Sequence, residues 1–557
     1  MEKLETAIAA VIKKLFGHEA VVLLTRPDEQ FGDYATNIAL QLARPLGKNP
    51  REIGETLAAE LRTSLGEQVQ DVTIAGPGFL NITLSDQALG AMAGSAPAFR
   101  PNTYENQVVV AEYSDPNPFK VLHAGHLYTS VVGDALANLF ETAGGEVHRV
   151  NFGGDVGLHV AKTMWAILAE LGGEQPEKLQ AVPPEKRSEW MAACYVRGTN
   201  AYEEDPDAKA KIVELNKRVY QIQAAGDHDS PLAHIYWTCR AWSYEYFDAF
   251  YARIGTKFEK YYPESEVAGL GLETVQAQLK KGVYEQSDGA VVFNGEKYGL
   301  HTRVFINSEG LPTYEAKDVG LIMQKWRDYH FDHSVVITGN DIVEYMKVVL
   351  KSIEQFEPEL VGRTTHLTHG QVKLAGGVKM SSRKGNFLRA VDVLDEATRA
   401  NHELTGQNNE QTMLAAVKYA FLRQRMGEDI IYDPKESVSL EGNSGPYLQY
   451  AHARARSIVR KSQQAPAPLA SLQPGERSLA RKISEYPEVL ERATTAMLPH
   501  HICTYLYELA QTFNRFYEHN RVVDDPREAM RLQLVTIYAD TLKAGLQVLG
   551  IAAPDQM

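Results

Sequence analysis

Apolar and polar positions follow different periods along the chain, and the period changes near residue 100. From Leu4 to Leu15 the apolar residues recur at the three- and four-residue spacing of a helix. Residues 69–85, VQDVTIAGPGFLNITLS, have the pattern of two short strands around a Gly-Pro-Gly turn. These patterns predict a small α+β domain over residues 1–100, ending in the polar stretch 94–107.

An alternation of strands and helices begins at residue 108. The buried-strand sequence VVVAEYS is followed by a helical pattern over residues 124–142, by the strand-like EVHRVNF and by a second helix. The alternation stops and then resumes with DHSVVITGND. Because such alternation produces parallel sheets, we expect a split α/β domain over residues 101–390, interrupted by a mostly helical insertion at about 172–300.

The rest of the chain has helical patterns almost throughout. They predict a connecting helical region over residues 391–440 and an all-α domain over residues 441–557. The second of these is rich in Ala, Leu, Arg and Tyr. The total of 557 residues supports this division, because it suffices for three or four domains.

Composition narrows the class of protein. Apolar residues make up 44% and charged residues 23%, as in soluble globular proteins. Cys194, Cys239 and Cys503 lie far apart, so we expect no disulfide framework, no cysteine-rich zinc site and a reducing, cytoplasmic location. The N-terminus does not have the pattern of a signal peptide, and no apolar run could span a bilayer, so we expect no membrane partner.

The formal net charge of −14 argues against a strongly basic nucleic-acid-binding protein. Basic and acidic residues are nearly balanced over residues 441–557, so the acidic excess lies earlier in the chain. A nucleic-acid partner would have to bind local basic patches. The alternative is that the C-terminal part is simply less acidic.

The motif HAGH, residues 123–126, follows a predicted strand and opens a predicted helix. A zinc-binding pair, a turn with two incidental histidines and a phosphate-binding loop are all possible interpretations. No Cys or His cluster lies nearby to complete a zinc site. A helix N-terminus at the carboxyl end of a parallel strand suits phosphate, and Gly125 would let a nucleotide approach the backbone.

The motif KMSSRKGN, residues 379–386, contains Lys379, Arg383 and Lys384 between two glycines. Such cations suit the charge that develops on a triphosphate during displacement, although a solvated basic loop is the alternative. The sequence has neither a P-loop nor a Gly-x-Gly-x-x-Gly after a strand, so phosphate binding requires another device. The pair of motifs, one in each half of the α/β domain, favours nucleotide chemistry.

HAGH and KMSSRKGN resemble the HIGH and KMSKS signatures of class I aminoacyl-tRNA synthetases. The stretches around them resemble arginyl-tRNA synthetases in the right order over the whole chain: FGDYATNIAL, GPGFLNI, EYSDPNPFKVLHAGHLYTSVVGDAL, LPTYEAKDVGL, SGPYLQYAHARARSI and LQVLGIAAPDQM. Four positions depart from the family pattern. Ser382 and Arg383 stand at the last two signature positions, Asp115 replaces a frequent serine, and Val156 replaces the usual tryptophan. Arg383 and Lys384 are both candidates to replace the missing lysine.

The resemblance implies a class I, Rossmann-like catalytic domain between an N-terminal tRNA-contacting domain and an anticodon-binding domain. It also implies the ATP-dependent activation of L-arginine to arginyl-adenylate and its transfer to the 3′ end of tRNA(Arg). Mg²⁺ would accompany ATP, and we expect no protein-bound metal. No covalent enzyme intermediate is needed, so catalysis consists of positioning and charge stabilisation. We further expect a monomer.

The resemblance also implies the site residues. The catalytic set is His123, His126, Lys379 and Lys120. The ATP-binding set is His123, Gly125, His126, Gln371, Val372, Lys379 and Ser381. The arginine-binding set is Glu112, Ser114, Asn117, Tyr314, Asp318 and Asp341. The tRNA-binding set is Tyr447, Tyr450, Arg454, Arg456, Asn514, Arg515, Arg521 and Asn37.

Within the arginine-binding set, Asp318 is expected on the guanidinium, with Tyr314 one helical turn away. Glu112 and Asn117 would hold the α-amino and carboxylate groups, and Asp341 suits either the substrate or the ribose of ATP. Without the resemblance, Tyr314 would be interpreted as core and Asp318 as a surface charge. Because charge selects arginine, the insertion is interpreted as acceptor-end binding and scaffold, not as an editing domain.

Three other functions remain as alternatives. A class I synthetase for another amino acid is possible, although a cysteine-specific one would require a missing zinc-binding set. A small HxGH nucleotidyltransferase would lack the helical C-terminal domain. A tRNA-binding paralogue without catalysis is disfavoured because His123, His126 and Lys379 are present.

Overall fold

The computed structural model describes residues 2–375 and 388–557. In these ranges an N-terminal α+β domain, an α/β domain with a parallel sheet and a C-terminal group of helices follow one another. This arrangement confirms the predicted fold class.

The N-terminal domain packs helices against an antiparallel sheet. Its elements are α1 (Glu2–Phe16), β1 (Tyr34–Thr36), α2 (Ile38–Leu46), α3 (Pro50–Leu65), β2 (Val69–Ala75), β3 (Phe79–Leu84) and α4 (Asp86–Ser95). The strands pair in the order β1-β3-β2, and the two predicted strands of residues 69–85 are β2 and β3. Asn49 begins α3 by accepting the N–H of Arg51 at 2.8 Å, and Pro50 fits the first helical position.

The α/β domain contains the longest series of elements. They are β4 (Val108–Glu112), α5 (Ala124–Thr142), β5 (Glu146–Gly153), α6 (Leu158–Leu171), α7 (Arg187–Glu204), α8 (Pro206–Ala225), α9 (Pro231–Ile254), β6 (Lys260–Pro263), α10 (Glu264–Leu279), β7 (Glu285–Ser287), β8 (Ala290–Phe293), β9 (Arg303–Ile306), α11 (Tyr314–Tyr329), β10 (His333–Gly339), α12 (Val343–Glu354), α13 (Pro358–Gly362) and β11 (Thr364–His369).

The central sheet of the described residues is parallel and has the order β11-β10-β4-β5-β6. From β4 the chain first proceeds to β5 and β6 on one side and later to β10 and β11 on the other. The order therefore reverses between β4 and β10. Ligands of open parallel sheets bind at the carboxyl ends of the strands at such a reversal.

The expected helical insertion at about 172–300 is only partly helical. Helices α7, α8 and α9 occupy its first part, but β6 then pairs with β5 as an edge strand of the central sheet. Strands β7, β8 and β9 follow as a separate antiparallel sheet. The sequence of β6, KYYP, is too short for its pattern to distinguish a strand from the neighbouring helices.

Two further expectations need correction beyond β11. The predicted strand HGQVKL is divided, because β11 ends at His369 and a new strand, β12 (Val372–Leu374), begins after it. β12 pairs in parallel with β13 (Ile430–Tyr432), so the connecting region that was expected to be helical contributes a strand. The helices of that region are α14 (Ala390–Thr405), α15 (Glu410–Leu422) and α16 (Pro434–Ser437).

The C-terminal part consists of helices, as predicted. They are α17 (Gly445–Lys461), α18 (Pro474–Ser484), α19 (Tyr486–Ala496), α20 (His500–His519) and α21 (Glu528–Val548). The final residues fold back on α17, where Gln449 donates to the backbone carbonyl of Ala552 at 2.8 Å. In the described ranges no helix is long and apolar enough to cross a membrane.

Candidate active site

A cavity of about 740 Å³ opens at the carboxyl ends of β4 and β10, where the strand order reverses. Its volume is in the range of small-molecule binding sites. The predicted residues that line it are Glu112, Ser114, Asn117, His123, Gly125, His126, Tyr314, Asp318, Asp341, Gln371 and Val372. The fold thus brings together segments that are far apart in sequence, while the role of each residue stays a prediction.

The first turn of α5 holds both histidines of HAGH. The N–H of Gly125 donates to Nδ1 of His123, and the N–H of His123 donates to Nδ1 of His126, both at 3.1 Å. The two rings stack with centroids 3.7 Å apart. A neutral imidazole whose Nδ1 accepts a hydrogen bond carries its proton on Nε2. Both histidines therefore have an Nε2–H that can be donated to an anionic ligand.

The surroundings keep both imidazoles neutral. Desolvation by the cavity walls lowers the pKa of His123 to about 4, with a further decrease from the charge of Lys120 and an opposing effect from Asp341. Desolvation and the neighbouring His123 hold the pKa of His126 well below its usual value. At neutral pH the pair supplies hydrogen-bond donors, and the positive potential comes from the α5 N-terminus and Lys120.

Lys120 does not line the cavity, unlike the other catalytic candidates that the structure describes. Its ammonium lies 4.7 Å from the ring centroid of Tyr195. Its charge nevertheless lowers the pKa of both His123 and His126. Lys120 is therefore near enough to add positive potential to the histidine end of the cavity.

Gly125 is required first by the neighbouring imidazole. A Cβ at this position would lie 2.8 Å from Cε1 of His123, well inside van der Waals contact. The absence of a side chain here thus makes room for the His123 ring, and the approach of a nucleotide to Gly125 stays a prediction. Among the described residues, no group of three His, Cys, Asp or Glu side chains could hold a metal ion.

Two acidic side chains of the cavity are paired with buried lysines. Nζ of Lys325 bonds to Glu112 and also donates to Oγ of Ser334 at 3.2 Å. Nζ of Lys317 lies 2.6 Å from Oε2 of Glu264. All four of these charged side chains are almost fully buried. Glu112, expected on the substrate amino group, is thus already neutralised by a lysine of α11.

Asp318 lines the cavity from α11 and accepts a hydrogen bond from the hydroxyl of Tyr345. Burial raises its pKa to about 7, with further increases from the charges of Glu112 and Glu264. A cation placed against this carboxyl would favour its ionised form. The site therefore suits a positively charged group of a ligand.

Tyr314, Asn117 and Ser114 lie at different depths of the cavity wall. Tyr314 begins α11 one turn before Asp318 and is 54% exposed. Asn117 accepts the N–H of Gly154 at 2.7 Å, which leaves its amide NH₂ to donate. The Ser114 hydroxyl is 2.7 Å from that of Tyr251 and accepts from Ser130 at 2.9 Å. This hydroxyl belongs to a buried network, and its expected contact with the substrate stays a prediction.

Of the two expected nucleotide-binding positions at the start of β12, Gln371 is already bonded and Val372 is free of β13. The N–H of Gln371 donates to Asp429 at 2.8 Å, and its carbonyl accepts from Ile430 at 2.8 Å. Both backbone groups of Gln371 are therefore already bonded. Alternate residues of a parallel strand face opposite sides, so Val372 directs its backbone groups away from β13. Lys379, Ser381, Ser382, Arg383 and Lys384 lie outside the described residues.

Several predicted tRNA-binding residues share one face of α17 and α20. Asn514 donates to the Tyr447 hydroxyl at 2.8 Å, and the Arg454 guanidinium lies 4.5 Å from the ring centroid of Tyr517. Tyr450 is 46% exposed. Aromatic rings and a guanidinium that face solvent together can stack on unpaired bases.

The remaining candidates for tRNA binding lie elsewhere. Arg456 points away from this face, where it pairs with Asp540 at 2.6 Å and lies 3.6 Å from Asp555. Its side chain is 19% exposed and already paired, which leaves the guanidinium little access for the expected tRNA contact. Arg515 and Asn37 are exposed, and Arg521 is exposed and paired with Asp524 at 2.7 Å.

Six residues of this cavity and its supports have no role predicted from the sequence. They are Asp115, Glu264, Lys317, Lys325, Tyr345 and His369. His369 ends β11, and its Nε2 lies 2.6 Å from Oγ1 of Thr129 on α5. The position of His369 at the end of a strand was the available signal. Lys317 and Lys325 of α11 gave no signal in the sequence, because only the fold shows which carboxylates they contact.

Comparisons with known proteins give matches along the whole chain. Three family models match in order: Arginyl tRNA synthetase N terminal domain over residues 2–84, tRNA synthetases class I (R), catalytic domain, over residues 92–432, and DALR anticodon binding domain over residues 448–557.

Individual proteins agree with the family models. An arginine–tRNA ligase of Porphyromonas gingivalis is 28% identical, with 100% of both chains covered. That of Frankia casuarinae is 30% identical, covering 100% of this chain and 98% of the relative. The solved structure of Thermus thermophilus arginyl-tRNA synthetase is 26% identical and has a TM-score of 0.81, with 100% of both chains covered.

Proposed function

The chain belongs to the arginyl-tRNA synthetase family, and from this premise we propose how its cavity performs the family reaction. The protein is an ATP-dependent ligase that activates L-arginine to arginyl-adenylate and transfers it to tRNA(Arg), with release of pyrophosphate and AMP. The observation that supports the proposed residue roles most strongly is a single cavity that combines two neutral imidazole donors with an acidic wall.

ATP binds at the histidine end in this proposal. The Nε2–H groups of His123 and His126 donate to phosphate oxygens, and the α5 N-terminus and Lys120 add positive potential. Lys379 and Ser381 of the signature motif complete the phosphate site. Adenine bonds to the backbone of Val372 next to Gly125. Asp341 binds the ribose, consistent with its electrostatic effect on His123 and His369.

Arginine binds at the acidic wall. The carboxyl of Asp318, oriented by Tyr345, accepts the planar guanidinium, and the ring of Tyr314 covers it from the cavity mouth. The amide of Asn117 donates to the substrate carboxylate. Glu112 does not bind arginine directly in this proposal. It supports the shape of the site, because it holds Lys325 between β4 and β10.

The reaction then requires positioning more than proton transfer. A carboxylate oxygen of arginine attacks the α-phosphorus in line, and the bond to pyrophosphate breaks. In the second step, a hydroxyl of the terminal tRNA ribose attacks the carbonyl carbon, and AMP leaves. The histidines stabilise charge on the phosphates by donating hydrogen bonds, and burial lowers the pKa of both imidazoles.

The α17–α20 face binds the anticodon loop in this proposal. Tyr447, Tyr450 and Arg454 provide stacking surfaces, and Asn514 and Arg515 provide hydrogen-bond donors. Residues 441–557 form this anticodon-binding domain, residues 391–440 connect it to the catalytic domain of residues 101–390, and residues 1–100 contact tRNA through Asn37.

Mg²⁺ enters as the ATP complex, because the two buried carboxylates paired with lysine are unsuited to binding a cation. The protein acts as a monomer, which sedimentation would test. It works in the cytoplasm, consistent with the buried free thiols of Cys194, Cys239 and Cys503.

The deciding experiment is ATP–pyrophosphate exchange with each amino acid, with and without tRNA(Arg). We expect exchange with arginine alone among the amino acids, in the presence of tRNA. Exchange with a different amino acid would contradict the assigned arginine site. No exchange with arginine plus tRNA, although the tRNA binds, would indicate a paralogue without catalysis.

A further inference from the structure

The acidic side chains of the cavity differ in whether they have a cationic partner. Glu112 is paired with Lys325 and Glu264 with Lys317, and each pair is buried. Asp115 and Asp318 also line the cavity. In the described ranges no lysine or arginine nitrogen lies within 4 Å of either carboxyl.

Asp115 is held by the backbone of the neighbouring strand. Its Oδ1 accepts the N–H of Phe152, at the end of β5, at 2.9 Å. The residue has a φ of 50°, a left-handed conformation that aspartate tolerates better than most residues. Two residues later, Asn117 accepts the N–H of Gly154. The two side chains are therefore anchored to alternate residues of the same strand end.

Electrostatics support an ionic ligand for Asp115. Burial raises its pKa well above the usual value, and the negative charges of Glu112 and Asp318 act in the same direction. The hydrogen bond from Phe152 and the charge of Lys325 oppose them. A carboxylate in this position without a cationic partner is unfavourable when the cavity is empty. A cationic group of the substrate would remove that cost.

Free arginine has two cationic groups and one carboxylate. Among the described residues, the cavity offers two carboxyls without a cationic partner, Asp115 and Asp318, and the amide NH₂ of Asn117. We propose that Asp115 is a specificity-determining residue that binds the α-ammonium of arginine, while Asp318 binds the guanidinium. Asn117, anchored beside Asp115, then lies next to the substrate carboxylate, since ammonium and carboxylate share one carbon. This inference rests on the proposed function of the cavity.

The test compares arginine with 5-guanidinopentanoic acid, which lacks only the α-amino group. Asp115→Asn removes the charge but keeps an oxygen that can accept the Phe152 N–H. We expect this variant to bind arginine about ten- to a hundredfold more weakly, the effect of a lost charge-assisted hydrogen bond. Its affinity for 5-guanidinopentanoic acid should equal that of the parent. Calorimetric titration of both ligands, in the presence of tRNA(Arg) and a non-hydrolysable ATP analogue that prevents turnover, measures the difference.

The matched control is Asp318→Asn, which should weaken both ligands. If Asp115→Asn lost affinity equally for both ligands, or for neither, the inference would be overturned. Asp115→Ser provides a second uncharged variant if the asparagine disturbs folding, which thermal unfolding and tRNA affinity report. Failure of the proposed function is distinguishable, because the parent itself would then show no arginine-dependent exchange.

Discussion

Neutral histidines at a helix N-terminus give the site its donor geometry. The backbone N–H groups of Gly125 and His123, at the start of α5, donate to Nδ1 of His123 and His126, which leaves both protons on Nε2. An imidazolium would add charge, but here burial and Lys120 disfavour it. The histidine pair is therefore suited to stabilise phosphate charge by fixed hydrogen bonds.

Replacing His126 by alanine removes one of these donors. We expect the rate of ATP–pyrophosphate exchange to fall by about 10²–10³-fold, as for other preorganised donors. The affinity for tRNA should change little, because the proposed anticodon surface lies in another domain. His234→Ala, at an exposed position of α9, is the control. If His126→Ala loses tRNA affinity as strongly as activity, the histidine supports the fold instead.

The raised pKa of Asp318, about 7, predicts the pH dependence of arginine binding. Below its pKa the carboxyl is protonated and does not pair with a guanidinium, so the KM for arginine should decrease as the pH rises through 7. Asp318→Asn keeps an acceptor for Tyr345 and should raise this KM at least about tenfold. A parent KM that stays constant between pH 6 and 8 would contradict the assignment.

At the scale of elements, α17 shows how two nearby arginines acquire different environments. Arg454 and Arg456 are two residues apart, so they lie on different faces of the helix. One guanidinium lies over Tyr517 near solvent, and the other pairs with Asp540 and is largely covered. Only the first remains available for a nucleic acid.

The two arginines therefore form a matched pair of variants. Arg454→Ala should weaken tRNA(Arg) binding several-fold, because base–arginine stacking and one phosphate-attracting charge are lost. Arg456→Ala should leave tRNA affinity nearly unchanged and lower the thermal unfolding midpoint. Filter binding and calorimetry measure the two effects. The opposite assignment of effects would place the anticodon surface on the other side of α17.

At the scale of the whole molecule, charged pairs join the two ends of the chain. Arg477 of α18 bonds to Asp33 at 2.6 Å and to Asp86 at 2.7 Å. Arg26 and the hydroxyl of Tyr34 both contact Glu488 at 2.8 Å. Most of these side chains are largely buried, so the N-terminal domain and the anticodon-binding helices form a common interface.

Removing Arg477 should therefore destabilise the interface. In Arg477→Ala, the carboxylate of Asp33, whose side chain is 2% exposed, would keep the N–H of Leu84 at 2.7 Å, and the nearest remaining cation among the described residues would be Arg481 at 3.7 Å. We expect a loss of roughly 3 kcal/mol in unfolding free energy. Arg521→Ala, which breaks an exposed pair with Asp524, should cost less than about 1 kcal/mol. Urea unfolding followed by fluorescence compares them, and equal midpoints would argue against a stabilising interface.

Local sequence was sufficient for much of the fold and for the nucleotide end of the site. HAGH directly joins a strand to a helix, so its two imidazoles and the helix N-terminus are close together by covalent geometry alone. The paired strands of residues 69–85 were also evident, because a short turn joins them directly in sequence. By contrast, KYYP of β6 and the isolated strand β13 become strands only through pairing with distant segments.

The sequence by itself determined the family, the reaction and the residue types at the cavity, because motifs in a fixed order specify local geometry and chemistry. Only the tertiary structure decided which carboxylates of the acidic cavity wall are neutralised by lysines. Glu112 meets Lys325, 213 residues away, and Glu264 meets Lys317, whereas Asp115 and Asp318 line the cavity without a cation within 4 Å among the described residues. The reason is physical: whether a carboxylate is available to a ligand depends on the groups that folding packs around it.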